Sequence, residues 1–207
     1  MRGTDPGARR PIVLLASGAG SLAQSILDRA DDPDTSYRVA ALVSDRDCEA
    51  AARADRSGVP TAVVRPAEYD DRAGWDRALT ETVGSFDPDW IVSAGFMRIL
   101  GPAFLERFDS RVVNSHPALL PSFPGVHAVR DALAYGVAVS GCTVHLVDAG
   151  VDTGPVIAQR AVEVLTDDTE GSLHERIKVA EREMLADVLT AATSGRLHIE
   201  GRKVHQS

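Results

Sequence analysis

The alternation of short apolar runs with helical patterns constrains the fold of this chain more than any other feature. Runs of strand length lie at residues 11–16, 37–43, 59–64, 90–94 and 111–113. Helical patterns fill the intervals between these runs. Because such alternation is typical of a parallel sheet with right-handed crossovers, we predict an α/β fold with a Rossmann-like, doubly wound, mostly parallel sheet.

The pattern changes in the last third of the chain. Two longer runs, at residues 139–147 and 156–164, are joined by a polar loop and are predicted to be neighbouring strands. A long helix is predicted at residues 170–193, followed by a small terminal hairpin. Two earlier helices are predicted at residues 47–57, with Asp45 or Asp47 as the N-cap, and at residues 69–83.

Charge and composition exclude several classes of protein. The formal net charge of −8 comes from 22 basic and 30 acidic residues, which argues against broad nucleic-acid binding. No apolar run approaches the roughly 18 residues that span a membrane, and residues 1–10 lack the apolar core of a signal peptide. Cys48 and Cys142 lack metal-ligand spacing and are predicted to be free thiols, so we expect a cytoplasmic protein with a disordered head over residues 1–10.

A polar pair follows the strand predicted at residues 111–113. Asn114 and His116 are two residues apart, so their side chains face the same side of an extended chain, and Pro117 ends the strand. This is the carboxyl end of a strand, where open α/β sheets place their ligands. A neutral amide beside a histidine suits the binding of a carbonyl oxygen and the movement of a proton. Taken alone, the pair is better explained by a loop histidine that caps backbone groups.

A glycine-rich turn follows the first strand. Gly18-x-Gly20-x-x-Ala23 matches the dinucleotide fingerprint, and Asp45 lies where a ribose-binding acid would lie. A nicotinamide dehydrogenase is therefore one hypothesis. The same turn, with hydroxyl groups from Ser17 and Ser21, suits a terminal phosphate monoester equally well. A tight turn that binds no ligand is the third alternative.

The loop between the two longer strands carries two carboxylates. Asp148 and Asp152 alternate with Gly150 and Gly154, a composition that allows close approach to a ligand. Either carboxylate could pair with His116, which would raise the histidine pKa and favour the imidazolium. The simpler alternative is a turn with both acids in solvent.

Several of these segments together resemble one family. They are residues 94–100, the pattern Asn114-x-His116-Pro117 with its continuation to residue 125, residues 152–155, and the glycine turn. From residue 11 to the terminal hairpin the chain resembles the phosphoribosylglycinamide formyltransferases, folate-dependent enzymes of purine synthesis. The combination is far more specific than any single segment. The wider group of formyltransferases shares the histidine motif.

The resemblance implies a reaction and a set of site residues. The reaction is formyl transfer from 10-formyltetrahydrofolate to the amine of glycinamide ribonucleotide, in de novo synthesis of IMP, without a metal. The implied catalytic residues are Asn114, His116 and Asp152. The implied ribonucleotide site, including its phosphate, consists of Gly18, Gly20, Ser21, Leu22 and Glu181. The implied folate site consists of Arg72, Met97, Arg98, Ile99, Leu100 and Asn114.

The resemblance also implies a single formyltransferase domain over residues 11–207. Its nucleotide-binding half covers residues 11–115 and its folate-binding and C-terminal half covers residues 116–207. The expected partners are the two small-molecule substrates, with no nucleic acid and no membrane, and a homodimer is left open. The remaining histidines are expected to be structural or solvated, although His145 lies on a strand close enough to line the pocket.

Three positions depart from the familiar pattern. Leu22 and Ala19 replace frequent asparagines, and Lys178 replaces a familiar glutamine. With Leu22, any phosphate contact at that position must come from the backbone.

Four alternatives remain. A formyltetrahydrofolate deformylase would use the same residues with water as the acceptor, but such enzymes usually carry a further domain before this one. A tRNA formyltransferase usually carries a further C-terminal domain. A dehydrogenase leaves Asn114, His116 and Asp152 without a role, and a non-catalytic binding module would bind both ligands without turnover.

Overall fold

The structure is a computed structural model, and it describes residues 8–207. A seven-stranded sheet forms the centre of the fold. The strand order is β3-β2-β1-β4-β5-β6-β7. Strand β6 alone runs opposite to the other six strands, so the predicted mostly parallel, Rossmann-like sheet is confirmed. The strands are β1 (Arg10–Ala16), β2 (Tyr37–Ser44), β3 (Thr61–Val63), β4 (Trp90–Ser93), β5 (Val112–His116), β6 (Val139–Leu146) and β7 (Val156–Glu163).

Six α-helices cover the two faces of this sheet in the described part of the chain. They are α1 (Ser21–Ala30), α2 (Glu49–Arg56), α3 (Arg72–Ser85), α4 (Pro102–Arg107), α5 (Ala128–Tyr135) and α6 (Glu170–Thr193). The predicted terminal hairpin is formed by β8 (Leu197–Glu200) and β9 (Lys203–Gln206). Within residues 8–207, no helix is long and apolar enough to cross a membrane.

The interior strand β1 is buried on both faces. Its side chains alternate between two apolar layers: Ile12 and Leu14 pack with α1 and α6, whereas Val13 and Leu15 pack with α3 and α4. A strand that is covered on both faces has apolar residues at nearly every position, so the sequence alone was enough to predict this strand. The carboxyl end of β1, where the glycine turn begins, is thereby held between two cores.

Two predicted helix starts are wrong. Helix α2 begins at Glu49 after Cys48, which makes no side-chain cap, because Asp45 and Asp47 bond arginine side chains instead. Helix α3 begins at Arg72 rather than at residue 69, because Asp71 accepts a hydrogen bond from the Gly74 N–H and caps the helix there.

The N-terminal boundary of the sheet lies slightly earlier than predicted. Arg10 is already the first residue of β1, and the Arg9 guanidinium donates to the Ala30 carbonyl at 2.7 Å. Residues 1–7 of the predicted disordered head lie outside the described residues.

Candidate active site

The antiparallel pairing of β5 with β6 brings four polar side chains to one face of the sheet. Asn114 lies opposite His145, and His116 lies opposite Thr143. Because residues two apart on a strand share a face, and directly paired residues do too, all four side chains project to the same side. The predicted orientation of Asn114 and His116 is therefore confirmed. His145, which was left among the structural or solvated histidines but was noted to lie on a strand close enough to line the pocket, is part of this cluster.

The imidazole of His145 fixes the amide group of Asn114. His145 Nδ1 lies 2.8 Å from the Leu146 carbonyl oxygen, which only accepts, so the proton is assigned to Nδ1. The unprotonated Nε2 then accepts from Asn114 Nδ2 at 3.2 Å. One amide N–H of Asn114 is thereby used, and the second remains available to a ligand.

Asp152 lies beside both histidines. Its Oδ2 is 3.3 Å from His116 Nδ1 and accepts from the Gly125 N–H at 2.8 Å, and its Oδ1 is 3.6 Å from His145 Nε2. The backbone of Asp152 is left-handed, with a φ of 54°, a conformation that is uncommon outside glycine and concentrates at functional sites. Of the two candidate partners of His116, Asp152 is therefore the one in contact.

The surroundings of Asp152 keep its carboxylate ionised. The adjacent His145, the Gly125 N–H and His116 together lower the pKa of Asp152 to about 2, against the effect of burial. An ionised carboxylate at this position stabilises a positive charge on the neighbouring imidazole.

Burial makes His116 less basic than the sequence suggested. The ring is buried, which lowers its pKa, and the Phe123 carbonyl and the Asp152 carboxylate oppose that fall without reversing it. The carboxylate does raise this pKa, as expected, but burial outweighs it, so the expectation of a favoured imidazolium is wrong. Because Nε2 lies 2.8 Å from the Phe123 carbonyl and donates to it, the neutral ring presents Nδ1 as a base beside Asp152.

Thr143 and Gln159 hold the loop that follows His116. The buried Thr143 hydroxyl donates to the Ala118 carbonyl at 2.7 Å and accepts from the Leu120 N–H at 3.0 Å. The Gln159 amide donates to the Leu120 carbonyl at 2.8 Å. Sequence reasoning did not find these residues, although a polar Thr143 inside the mostly buried strand β6 was a signal for the first of them.

The glycine turn presents a row of unpaired backbone N–H groups. Gly20 is left-handed, with a φ of 73°, and precedes α1 without any side-chain cap. Among residues 8–207, no protein group accepts a hydrogen bond from the N–H groups of residues 18–22. Leu22 packs its side chain against the core, so only its backbone faces this end of the helix. Unpaired N–H groups at a helix start favour an anion.

The segment 97–100 contributes unequally to the surface beside the site. Met97 and Ile99 are 65% and 59% exposed, whereas Leu100 is buried in the core under α3 and α4. The Arg72 guanidinium lies 4.6 Å from the Trp75 ring centre and donates to the Ile99 carbonyl. Arg72 and this segment are thus neighbours, as the resemblance implies, but the Leu100 side chain does not line a pocket.

A buried carboxylate links the glycine turn to the same segment. The fully buried side chain of Asp45 pairs with Arg98 at 2.7 Å and with Arg46 at 2.8 Å, and the Ser17 hydroxyl accepts from the Met97 N–H at 2.9 Å. Burial would raise the pKa of Asp45, but its arginine partners lower it to about 2. Asp45 is therefore unavailable to a ribose, contrary to the dehydrogenase hypothesis, and the Arg98 head group is largely committed to it.

Glu181 and Lys178 lie one helical turn apart on α6. The carboxyl group of Glu181 is buried, which raises its pKa, and it faces the Ser115 hydroxyl on β5. Lys178 bonds Glu175 at 2.7 Å. Ser115 lies between Asn114 and His116 but projects to the opposite face of β5, so Glu181 lies across the sheet from the Asn114–His116 pair.

Together, the fold and this geometry define an α/β protein whose polar site lies at the carboxyl end of its central strands, as in enzymes of this architecture.

Comparison with known proteins assigns the family. The chain belongs to the formyl transferase family, whose pattern it matches over residues 10–189. It is 53% identical over 205 residues to a phosphoribosylglycinamide formyltransferase of Mycobacterium tuberculosis, covering 96% of this chain and 95% of that protein.

Solved structures agree with this family assignment. The glycinamide ribonucleotide transformylase 1 of Symbiobacterium toebii superimposes with a TM-score of 0.94 at 41% identity, covering 100% of this chain and 97% of that one. A formyltetrahydrofolate deformylase of Pseudomonas syringae is also similar, with a TM-score of 0.90 at 26% identity, covering 98% of this chain and 67% of that one.

Proposed function

We propose that the protein transfers the formyl group of 10-formyltetrahydrofolate to the primary amine of glycinamide ribonucleotide, a step of de novo purine biosynthesis. The observation that carries this proposal is the contact of His116 with Asp152, at 3.3 Å, beside the free amide N–H of Asn114. The identity of 53% to a protein named for this reaction supports the choice of acceptor. The proposed site is metal-free.

Asn114, His116 and Asp152 are assigned the chemistry. Attack of the amine on the formyl carbon creates a tetrahedral intermediate with a negative oxygen, where fixed donors are most effective. The free N–H of Asn114 supplies one donor. The amine loses a proton as the new C–N bond forms, and the folate nitrogen gains a proton as the old bond breaks. His116 Nδ1 is placed to hold that proton in between, with Asp152 stabilising the imidazolium.

The two substrates are assigned to different groups of residues beside these three. Backbone N–H groups of Gly18, Gly20, Ser21 and Leu22 bind the ribonucleotide phosphate, and the Ser21 hydroxyl adds a donor. Glu181 contacts the same substrate, and Lys178 supplies positive charge to its phosphate. The folate lies against Arg72, Met97, Ile99 and the backbone of Arg98 and Leu100. Holding both substrates in place would supply much of the rate.

In this proposal, residues 11–207 form a single domain in the cytoplasm. Its nucleotide-binding half is residues 11–115 and its folate-binding and C-terminal half is residues 116–207. The small-molecule substrates are its only assigned partners.

A two-acceptor assay tests the proposal. The protein is incubated with 10-formyltetrahydrofolate, and loss of the formyl group is followed by absorbance with and without glycinamide ribonucleotide. We expect turnover only when the ribonucleotide is present. Equal turnover without it would mean that water is the acceptor, and the deformylase assignment would replace this one.

A further inference from the structure

Helix α2 holds three consecutive residues of the glycine turn. The Ala50 N–H donates to the Gly18 carbonyl at 3.0 Å, and the Arg53 guanidinium donates through Nε to the Ala19 carbonyl at 3.0 Å. Gly20 packs so closely on α2 that a Cβ there would lie 2.6 Å from the Ala50 Cα. Ala50 and Arg53 are three residues apart, so they share the face of α2 that meets the turn.

These contacts set the direction of the N–H groups that follow. A peptide unit is planar and trans, so its C=O and N–H point in opposite directions. With the Gly18 carbonyl directed at Ala50, the Ala19 N–H points away from α2. With the Ala19 carbonyl directed at Arg53, the Gly20 N–H does the same. Successive N–H groups that point one way around a left-handed residue form an anion-binding concavity.

Arg53 is the only side chain among these contacts. Its guanidinium also donates to the Gln24 side chain at 3.4 Å and lies 3.8 Å from Glu49, so it joins α2, the turn and α1. Its side chain is 33% exposed. An apolar or short residue here would leave the Ala19 carbonyl free to rotate, whereas the backbone bond from Ala50 would persist.

We infer that Arg53 is a positioning residue for the ribonucleotide phosphate: it fixes the Ala19–Gly20 peptide so that the turn offers its N–H groups to the phosphate. This inference rests on the proposed function, since that function places the phosphate at the turn. Arg53 acts through the turn, so its loss weakens phosphate binding without altering the residues that carry the chemistry.

The test compares two substrates and three variants. In Arg53→Ala, KM for glycinamide ribonucleotide should rise about tenfold, the scale of one lost charge-assisted hydrogen bond, with kcat and the folate KM unchanged. Arg53→Met, which keeps the aliphatic stem but no donor, should behave alike. Arg56→Ala is the matched control, because Arg56 lies on the same helix and bonds the same Glu49 at 2.7 Å without contacting the turn. It should leave every parameter unchanged.

The decisive readout uses glycinamide ribonucleoside, which lacks the phosphate. With this weaker substrate, Arg53→Ala and the native protein should have equal KM values. An equal loss with both substrates would overturn the inference, and so would an unchanged KM for the ribonucleotide in both Arg53 variants. Failure of the native protein to use the ribonucleotide at all would instead refute the proposed function.

Discussion

The two sides of the site obtain their functional groups in different ways. At the glycine turn after β1, the groups offered to a ligand are backbone N–H groups, directed by helix α2. At the end of β5, they are side chains that a strand register and a loop bring together. The difference teaches that the first side depends on how its backbone is held, so Leu22 needs no polar side chain there, whereas the second depends on the identity of each residue.

The largest expected effect is on the β5 side. His116→Ala removes the base that faces Asp152 and should lower kcat about a thousandfold, the scale of losing one essential group that stabilises the transition state. KM values for both substrates should change much less. His205→Ala, in the exposed terminal hairpin, is the matched control. A kcat within a few-fold of the native value would remove His116 from the chemistry.

A smaller effect is expected at His145, which acts through Asn114. In His145→Asn the Asn114 amide loses its partner, so kcat should fall by roughly one to two orders of magnitude, while its substrate contacts remain. A double-mutant cycle with Asn114→Ala separates positioning from direct contact, since the double variant should be no slower than Asn114→Ala alone. Fully additive losses would contradict the positioning role.

The glycine turn should respond in binding rather than in rate. Ser21→Ala removes one hydroxyl donor and leaves the backbone N–H groups, so KM for the ribonucleotide should rise about three- to tenfold at constant kcat. Ser25→Ala is the control, because the Ser25 hydroxyl donates to the Leu22 carbonyl one turn further along α1. If Ser21→Ala and Ser25→Ala give the same KM, the hydroxyl of Ser21 does not contact the phosphate.

The smallest expected effect is on the free energy of unfolding at low pH. Each side of the site contains one buried or partly buried aspartate whose pKa is lowered. The pKa values of Asp45 and Asp152 are each lowered from 3.8 to about 2. Their contribution to the free energy of unfolding is complete above about pH 4 and is lost as the pH falls through 2.

Urea unfolding at several pH values measures this contribution. Asp45→Asn should lose less stability between pH 4 and pH 2 than the native chain does, and Asp47→Asn, at an exposed position, should lose as much. An unchanged acid dependence in Asp45→Asn would show that the buried ion pairs do not carry it.

The same difference explains what the sequence could predict. The order of the seven strands along the chain and the shared side of Asn114 and His116 follow from local patterns and were predicted, whereas two strand bounds were wrong: β3 covers only Thr61–Val63, and β5 continues to His116. The role of His145 depends on its register opposite Asn114 across an antiparallel pair, which no local pattern specifies. The commitment of Arg98 to Asp45 joins residues 53 positions apart. The lowered pKa of His116 follows from burial, whereas the sequence indicated only the opposing carboxylate.

The central claim is that Asp152 makes formyl transfer possible by stabilising a proton on His116. The most direct test is the single-turnover rate of formyl transfer in Asp152→Asn, with both substrates saturating. We predict a rate about a hundredfold or more below that of the native protein, with the same unfolding midpoint in urea at pH 7 to within a small shift. A single-turnover rate close to the native one would contradict the account.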